Sequence, residues 1–245
     1  MKKYTAKYFK ENLPEWKRKK DSFLVRSFFR PLSFYTASFA ANRGIGANSV
    51  SYFSMLIAVV GSICYLMDNR LCYIAGAALI IFWMVLDCTD GNIARSVKKE
   101  LYGEFADGAS SYVLINFLFF ALGIAAYKNQ GLIFDASNWV LLILGGFAGA
   151  SDSLTRLLYQ KFENTKMHEK PSNRESVREG GKNKLVVIHD RIDKEVGLNG
   201  IFLPALLLCS VMRWFDIFVL FYFLFFTCTL LATMALLIYK SRTSH

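Results

Sequence analysis

Long apolar blocks separated by short charged connections dominate the sequence. A helix of about 20 apolar residues is needed to cross a hydrocarbon core roughly 30 Å thick, where the backbone must satisfy its own hydrogen bonds. Six blocks reach or approach this length: 48–67, 71–88, 106–127, 138–159, 198–214 and 215–239. The blocks predict an all-α integral membrane protein with six transmembrane helices.

The fifth block is the shortest and continues directly into the sixth. It contains Pro204, which disfavours a helix interior, and Arg213 and Asp216 interrupt the apolar run. We interpret the two blocks as separate crossings joined by a tight turn.

Lysine and arginine residues predict the orientation of the spans, because cytoplasmic connections carry an excess of them. Here they concentrate in the N-terminal segment and in the connections after the second and fourth spans, whereas the other connections hold only Arg70, Lys128 and Arg213. Both termini are therefore expected in the cytoplasm, consistent with an even number of crossings. The formal net charge of +10 suits contacts with anionic lipid headgroups, and we expect no binding to nucleic acid.

The chain divides into two predicted regions. Residues 1–46 form a cytoplasmic and juxtamembrane segment, in which the mixed apolar and basic stretch 23–39, broken by Pro31, is typical of an amphipathic helix or helix pair on the membrane surface. Residues 47–245 form the transmembrane domain, with residues 163–197 as a cytoplasmic loop, partly ordered as a flap. All five cysteines lie in or beside apolar blocks and are expected to be free thiols.

Two stripes of acidic and small residues end the second span and begin the third. Residues three or four positions apart share one face of a helix, and the two faces can oppose each other. The first stripe comprises Asp87, Asp90, Gly91 and Ala94, and the second comprises Gly103, Asp107 and Ser111.

Carboxylates brought together near hydrocarbon repel one another unless a cation lies between them. Their hard oxygen atoms select Mg²⁺ or Mn²⁺, which complete their ligand shells with substrate phosphates. Phosphate chemistry is therefore the leading interpretation. For any single acid, pairing with Arg95, Lys98 or Lys99 is the competing one. Glu100 and Glu104 are expected to be surface charges.

The same positions resemble the signature of the CDP-alcohol phosphatidyltransferase family. The matching residues, at the family's spacing, are Asp90-Gly91, Ala94-Arg95, Gly103 and Asp107. Ala47-Asn48-Ser49-Val50-Ser51 is similar to the Pro-Asn-x-x-Thr sequence that begins the family's first span. The resemblance implies six transmembrane helices preceded by a juxtamembrane helix.

The resemblance also implies roles for these residues. Metal ligands for Mg²⁺ or Mn²⁺ would be Asp87, Asp90 and Asp107. Nucleotide-binding residues would be Gly91 and Ala94, which leave space for the cytidine, together with Arg95 and Gly103.

One position departs from the family pattern, because Ser111 stands where the family carries a fourth aspartate. The resemblance assigns to that aspartate the proton of the attacking hydroxyl, which a serine cannot accept unaided at neutral pH. Three explanations stay open: an acceptor that is already acidic or metal-activated, a substitute carboxylate, or a protein that binds the nucleotide without turning it over.

The fourth span offers a substitute carboxylate. Asp152 and Arg156 lie one helical turn apart in an otherwise apolar block, a placement that intramembrane charges adopt mainly at functional sites, although a mutual salt bridge would also explain it. We predict that Arg156 binds a phosphate of the donor or acceptor, and that Asp152 orients it or serves as the base.

Together these predictions describe an enzyme that transfers a phospho-alcohol or phosphatidyl group from a CDP-alcohol to an acceptor hydroxyl and releases CMP, in the synthesis of phospholipids or glycan precursors. The donor would be CDP-diacylglycerol or a small CDP-alcohol. We expect a homodimer with its active site facing the cytoplasm. The alternatives are a catalytically silent membrane CDP-alcohol-binding or scaffold protein, supported by Ser111 alone, and a transporter, which leaves the spaced acids without a purpose.

Overall fold

The computed structural model describes residues 3–169 and 195–243, and its regular structure within these ranges is helical. In chain order the helices are α1 (Ala6–Glu11), α2 (Glu15–Lys20), α3 (Arg30–Asn42), α4 (Ala47–Cys64), α5 (Arg70–Ser96), α6 (Gly103–Lys128), α7 (Val140–Glu169), α8 (Phe202–Met212) and α9 (Phe215–Thr243). The all-α prediction is confirmed for the described residues. All five cysteines are free thiols, as expected.

Five of the described helices are long and apolar enough to cross a membrane: α4, α5, α6, α7 and α9. They indicate a multi-pass integral membrane protein. Helix α8 is apolar, but its 11 residues rise only about 16 Å, roughly half of the hydrocarbon core. A sixth spanning helix is therefore not confirmed. Pro204 lies in the first turn of α8, where proline is tolerated, and Arg213 ends the helix in a left-handed conformation at φ 60°.

The segment containing α8 nevertheless connects the N-terminal segment with the end of α4. Ser22, near α2 and the start of α4, donates a hydrogen bond from Oγ to the carbonyl oxygen of Asn199. Ser210 Oγ lies 2.8 Å from the hydroxyl of Tyr65, which directly follows the last residue of α4. Residues 199–210 therefore run from Ser22 towards the end of the bundle that holds Tyr65.

Helices α6 and α7 pack backbone against backbone. A Cβ atom added to Gly145 would lie 2.6 Å from the carbonyl oxygen of Phe119 and 2.8 Å from Cα of Gly123. Small residues permit this close approach between membrane helices, where packing rather than hydrophobic burial drives association. This contact fixes the distance between α6 and α7. The positions of Asp152 and Arg156 of α7 relative to α6 depend on that distance.

The N-terminal segment is helical, and Pro31 does not break it. A π-helical turn at Val25–Phe29 leads directly into α3. Because proline has no N–H to donate to the carbonyl four residues earlier, a local widening of the helix accommodates it. One face of α3 packs on α5, while an opposite stripe is exposed, comprising Phe28 of the π-helical turn and Leu32, Tyr35 and Phe39 of α3.

The predicted loop 163–197 is corrected at its start, because α7 continues as a helix to Glu169. The polar residues at the end of α7 continue the helical hydrogen bonding of its apolar part. The flap predicted within the remainder, residues 170–194, lies outside the described residues.

Candidate active site

A cavity of about 240 Å³ opens between the C-terminal part of α5 and the beginning of α6. The start of α4 and the connection 97–102 form further walls. Seven of the site residues predicted from the sequence line it: Asp87, Asp90, Gly91, Ala94, Arg95, Gly103 and Asp107. The expectation that the two stripes face each other is met, since both contribute to this one cavity.

The three aspartates have different surroundings. Asp90 is buried, with 5% of its surface exposed, and its Oδ2 accepts a hydrogen bond of 2.6 Å from Ser51 Oγ. Asp87 of α5 and Asp107 of α6 line the same cavity. The helical spacing of the two stripes therefore brings three carboxylates into one neighbourhood.

These three carboxylates suit a hard divalent cation, because they offer oxygen ligands beside an open cavity. The ligand geometry is not preassembled: among the described residues, no three His, Cys, Asp or Glu side chains form a metal-binding group as they stand. A cation bound to Asp90 would share this carboxylate with the hydroxyl group of Ser51.

Two residues of the short motif at the start of α4 also line the cavity, Asn48 and Ser51. The backbone N–H of Asn48 donates to Glu100 Oε2 at 2.8 Å, and its Nδ2 donates to the carbonyl oxygen of Leu101 at 2.7 Å. These bonds hold the connection 97–102 against α4. The sequence predicted that Glu100 and Glu104 are surface charges. Glu100 instead accepts a hydrogen bond from the start of α4, whereas the side chain of Glu104 is 92% exposed.

Arg30, which the sequence did not single out, is buried behind the cavity with 4% of its surface exposed. Its Nε and Nη2 atoms each lie 2.9 Å from a carboxylate oxygen of Asp21, and its Nη1 donates to the carbonyl oxygen of Cys88 at 3.3 Å. Burial lowers the pKa of Arg30, but the neighbouring Cys88 and Asp21 outweigh it, so the pKa is raised and the guanidinium stays charged.

Asn92 connects this buried arginine to the arginine of the motif. Its Oδ1 accepts from Arg30 Nη1 at 3.3 Å and from Arg95 Nη2 at 3.2 Å. The guanidinium of Arg95 extends over Gly91, where an added Cβ would lie 2.9 Å from Nη1. A glycine at position 91 therefore leaves room for Arg95 beside the cavity.

Three predicted site residues do not line the cavity: Ser111, Asp152 and Arg156. Arg156 Nε lies 2.7 Å from Asp152 Oδ2, and its Nη2 lies 3.4 Å from Oδ1. The mutual salt bridge, given above as the competing explanation, is therefore present. The pair stays close to the site, because Arg156 acts electrostatically on Asp107.

The cavity residues missed by sequence reasoning are mainly cations from the N-terminal segment, Lys17 and Arg30. Their spacing carries no local signal, since their contacts with the cavity cross a large separation in the chain. Only the general excess of basic residues near the first span could have drawn attention to them.

Residues 45–161 match the model of the CDP-alcohol phosphatidyltransferase family. The members of this family are CDP-alcohol phosphotransferases, which bind a CDP-alcohol donor and an alcohol acceptor in the membrane and generally depend on a divalent metal. No curated protein matches the chain. Residues 45–161 contain α4 to most of α7 and all three aspartates of the cavity, so the part of the chain that is similar to the CDP-alcohol phosphatidyltransferase family includes the candidate site.

Proposed function

We propose that the protein catalyses metal-dependent transfer of a phospho-alcohol or phosphatidyl group from a CDP-alcohol to an acceptor hydroxyl. The observation that carries this proposal is the convergence of Asp87, Asp90 and Asp107 on one cavity inside the family segment. The family assignment does not favour the alternative of a catalytically silent binding protein, because the family consists of transferases.

In this proposal the three aspartates hold Mg²⁺ or Mn²⁺, which when bound neutralises charge on the donor phosphates. Gly91 and Ala94 leave space for the cytidine, and Gly103 allows close approach at the start of α6. Arg95, held through Asn92, provides a fixed positive charge beside the nucleotide.

The proposed reaction breaks the phosphoanhydride bond of the donor and forms a phosphate ester with the acceptor. The oxygen of the acceptor hydroxyl forms a bond to the β-phosphorus of the donor, the bond from that phosphorus to the bridging oxygen breaks, and CMP leaves with the bridging oxygen. The proton of the hydroxyl must leave as well. Ser111 cannot accept it, and we propose an acceptor whose hydroxyl is acidic enough to pass its proton to water in the cavity.

For the charged pair of α7, the geometry favours orientation over proton transfer. The carboxylate of Asp152 is buried and contacts two nitrogen atoms of Arg156, so it is poorly placed to receive a proton from a group in the cavity. We propose that Asp152 orients Arg156, and that Arg156 binds a substrate phosphate next to Asp107.

We further propose six crossings, with both termini and the cavity on the cytoplasmic side. The course of residues 199–210 supports the sixth crossing, and the basic residues near the cavity, such as Lys17 and Arg95, support the orientation. The exposed apolar stripe of α3 supports placing the segment 1–46 on the membrane surface beside the catalytic domain 47–245. The homodimer expected from the sequence stays a prediction.

The experiment that tests the proposed function is CMP release by the purified protein. Donors would be CDP-diacylglycerol and small CDP-alcohols, each combined with a panel of hydroxyl acceptors and with Mg²⁺, Mn²⁺ or a chelator. We expect CMP release for one pair of donor and acceptor, and only with a divalent ion. Binding of the nucleotide without turnover across the panel would instead support the silent alternative.

A further inference from the structure

Helix α2 lies outside the family segment, yet it contributes a cation to the catalytic cavity. The side chain of Lys17 lines both the 240 Å³ cavity and a second cavity of about 90 Å³ behind it. Arg30 and Asp87 also border both cavities, so the two spaces adjoin at these three residues. Lys17 thus lies at the junction, next to a proposed metal ligand.

The position of Lys17 is fixed by a buried carboxylate. Its Nζ lies 3.3 Å from Asp21 Oδ1, and its side chain is only 25% exposed. Asp21 itself is 7% exposed and binds Arg30 through both of its carboxylate oxygens. Since Arg30 in turn bonds to α5, this chain of contacts anchors the ammonium of Lys17 to the wall of the cavity.

The charge of Lys17 lies near the acids of the cavity, because Lys17 lines the same cavity as Asp87 and Asp107. Asp21 is already engaged by the guanidinium of Arg30, so it offsets only part of the charge of Lys17. A divalent cation bound to Asp87, Asp90 and Asp107 would neutralise two of these three carboxylates, and Lys17 adds a positive charge beside the cation. The cation and the ammonium together favour an anionic group in this part of the cavity.

We propose that Lys17 is a binding residue for the diphosphate of the CDP-alcohol, presented to the catalytic cavity by the N-terminal segment. This inference rests on the proposed function, which places the donor phosphates beside Asp87. Lysine suits the role because its ammonium binds phosphate oxygens as a compact point charge. Asp21 acts as a positioning residue that holds Lys17 through a direct ion pair.

The test compares three cytidine ligands that differ only in phosphate. Full-length protein in detergent with saturating Mn²⁺ would be titrated with cytidine, CMP and CDP by calorimetry. For Lys17→Gln we expect CDP affinity to fall by about ten- to a hundredfold, the usual loss for a hydrogen bond to a charged group, with a smaller loss for CMP and none for cytidine. Lys17→Arg should restore most of the CDP affinity.

Arg18→Gln is the matched control, since it removes the same charge from an exposed position of the same helix. Its CDP affinity should equal that of the wild type. If Lys17 only balances the acids, Lys17→Gln will bind Mn²⁺ more tightly and keep its CDP affinity at saturating Mn²⁺, which overturns the inference. An equal loss of cytidine affinity also overturns the assignment to the diphosphate. Wild-type protein that binds none of the three ligands would reject the proposed function, and this inference with it.

Discussion

Asp90 and Asp107 differ greatly in exposure although the proposed function gives them the same role. Asp90 is buried against Ser51 Oγ, whereas Asp107 is exposed at the mouth of the cavity. An asparagine at position 90 can still accept the hydrogen bond from Ser51 through its amide oxygen. Removing the charge at either position should therefore disturb cation binding far more than folding.

We predict that Asp87→Asn, Asp90→Asn and Asp107→Asn each abolish CMP release while the protein stays folded in detergent. Each change removes a metal ligand and keeps the size of the side chain. Turnover and size-exclusion profiles would be measured together, with Asp135→Asn in an exposed connection as the control. Near-wild-type activity in two of the three variants would contradict the metal site.

Asp152→Asn separates the two roles considered for this residue. If Asp152 orients Arg156, the substitution should raise the KM of the substrate that Arg156 binds several-fold and leave kcat nearly unchanged, since the salt bridge is weakened but no proton acceptor is lost. Steady-state kinetics for donor and acceptor would measure both constants. A fall in kcat of about a hundredfold or more, the scale of general base catalysis, would make Asp152 the base instead.

Prediction from the sequence succeeded where the contacts are local in the chain. Asp87 and Asp90 lie on one face of α5 because residues three apart do so in any helix. Arg30 could not be found in this way, since its partners Cys88 and Asn92 are 58 and 62 residues away. Asp152 could be recognised as unusual, but its exclusion from the cavity depends on how α7 packs.

At the scale of helices, hydropathy identified five long apolar helices but not their ends. The apolar block 71–88 belongs to a helix that extends from Arg70 to Ser96. Hydropathy reports the part of a helix that faces hydrocarbon, whereas backbone hydrogen bonds continue through polar residues as well. Asp90, Gly91 and Ala94 occupy this polar extension, and Asp87 lies at the end of the apolar block, which explains how acids can lie at the end of a membrane helix.

The α6–α7 contact provides a paired test of packing. Gly145→Ala should lower the free energy of unfolding by about 1–3 kcal/mol, because the added Cβ meets backbone atoms that cannot rotate away. The adjacent Gly146→Ala is the control, since nothing lies within 4 Å of its added Cβ, and it should be neutral or slightly stabilising. Denaturation in mixed micelles would measure the free energy of unfolding of both variants. Equal stability of the two variants would contradict the close contact.

At the scale of the whole molecule, the proposed topology predicts which residues reach each side of the membrane. Single cysteines would be introduced at Asp135, Asn199 and Ser241, which are exposed, and treated with a membrane-impermeant maleimide in sealed vesicles of known orientation. We expect Asp135→Cys to react from the non-cytoplasmic side, and Asn199→Cys and Ser241→Cys from the cytoplasmic side. The labelling of each variant would be compared with that of the wild-type chain, whose own free cysteines set the background.

Reaction of Asn199→Cys and Ser241→Cys from opposite sides would contradict the topology. Residues 199–241 would then contain an odd number of crossings, and α8 would not cross. The proposed cytoplasmic location of the cavity is tested separately by Glu104→Cys, whose position lines the cavity and is exposed.

The burial of Arg30 also sets an order of events during synthesis. Asp21 leaves the ribosome before Arg30, whereas Cys88 and Asn92 follow 58 and 62 residues later. At roughly 5–20 residues per second this delay is about 3 to 12 s. During that time Arg30 has its partner Asp21 but neither of its partners on α5. A nascent chain that stops before residue 88 therefore lacks both contacts of Arg30 with α5, even if its first transmembrane helix has already been inserted.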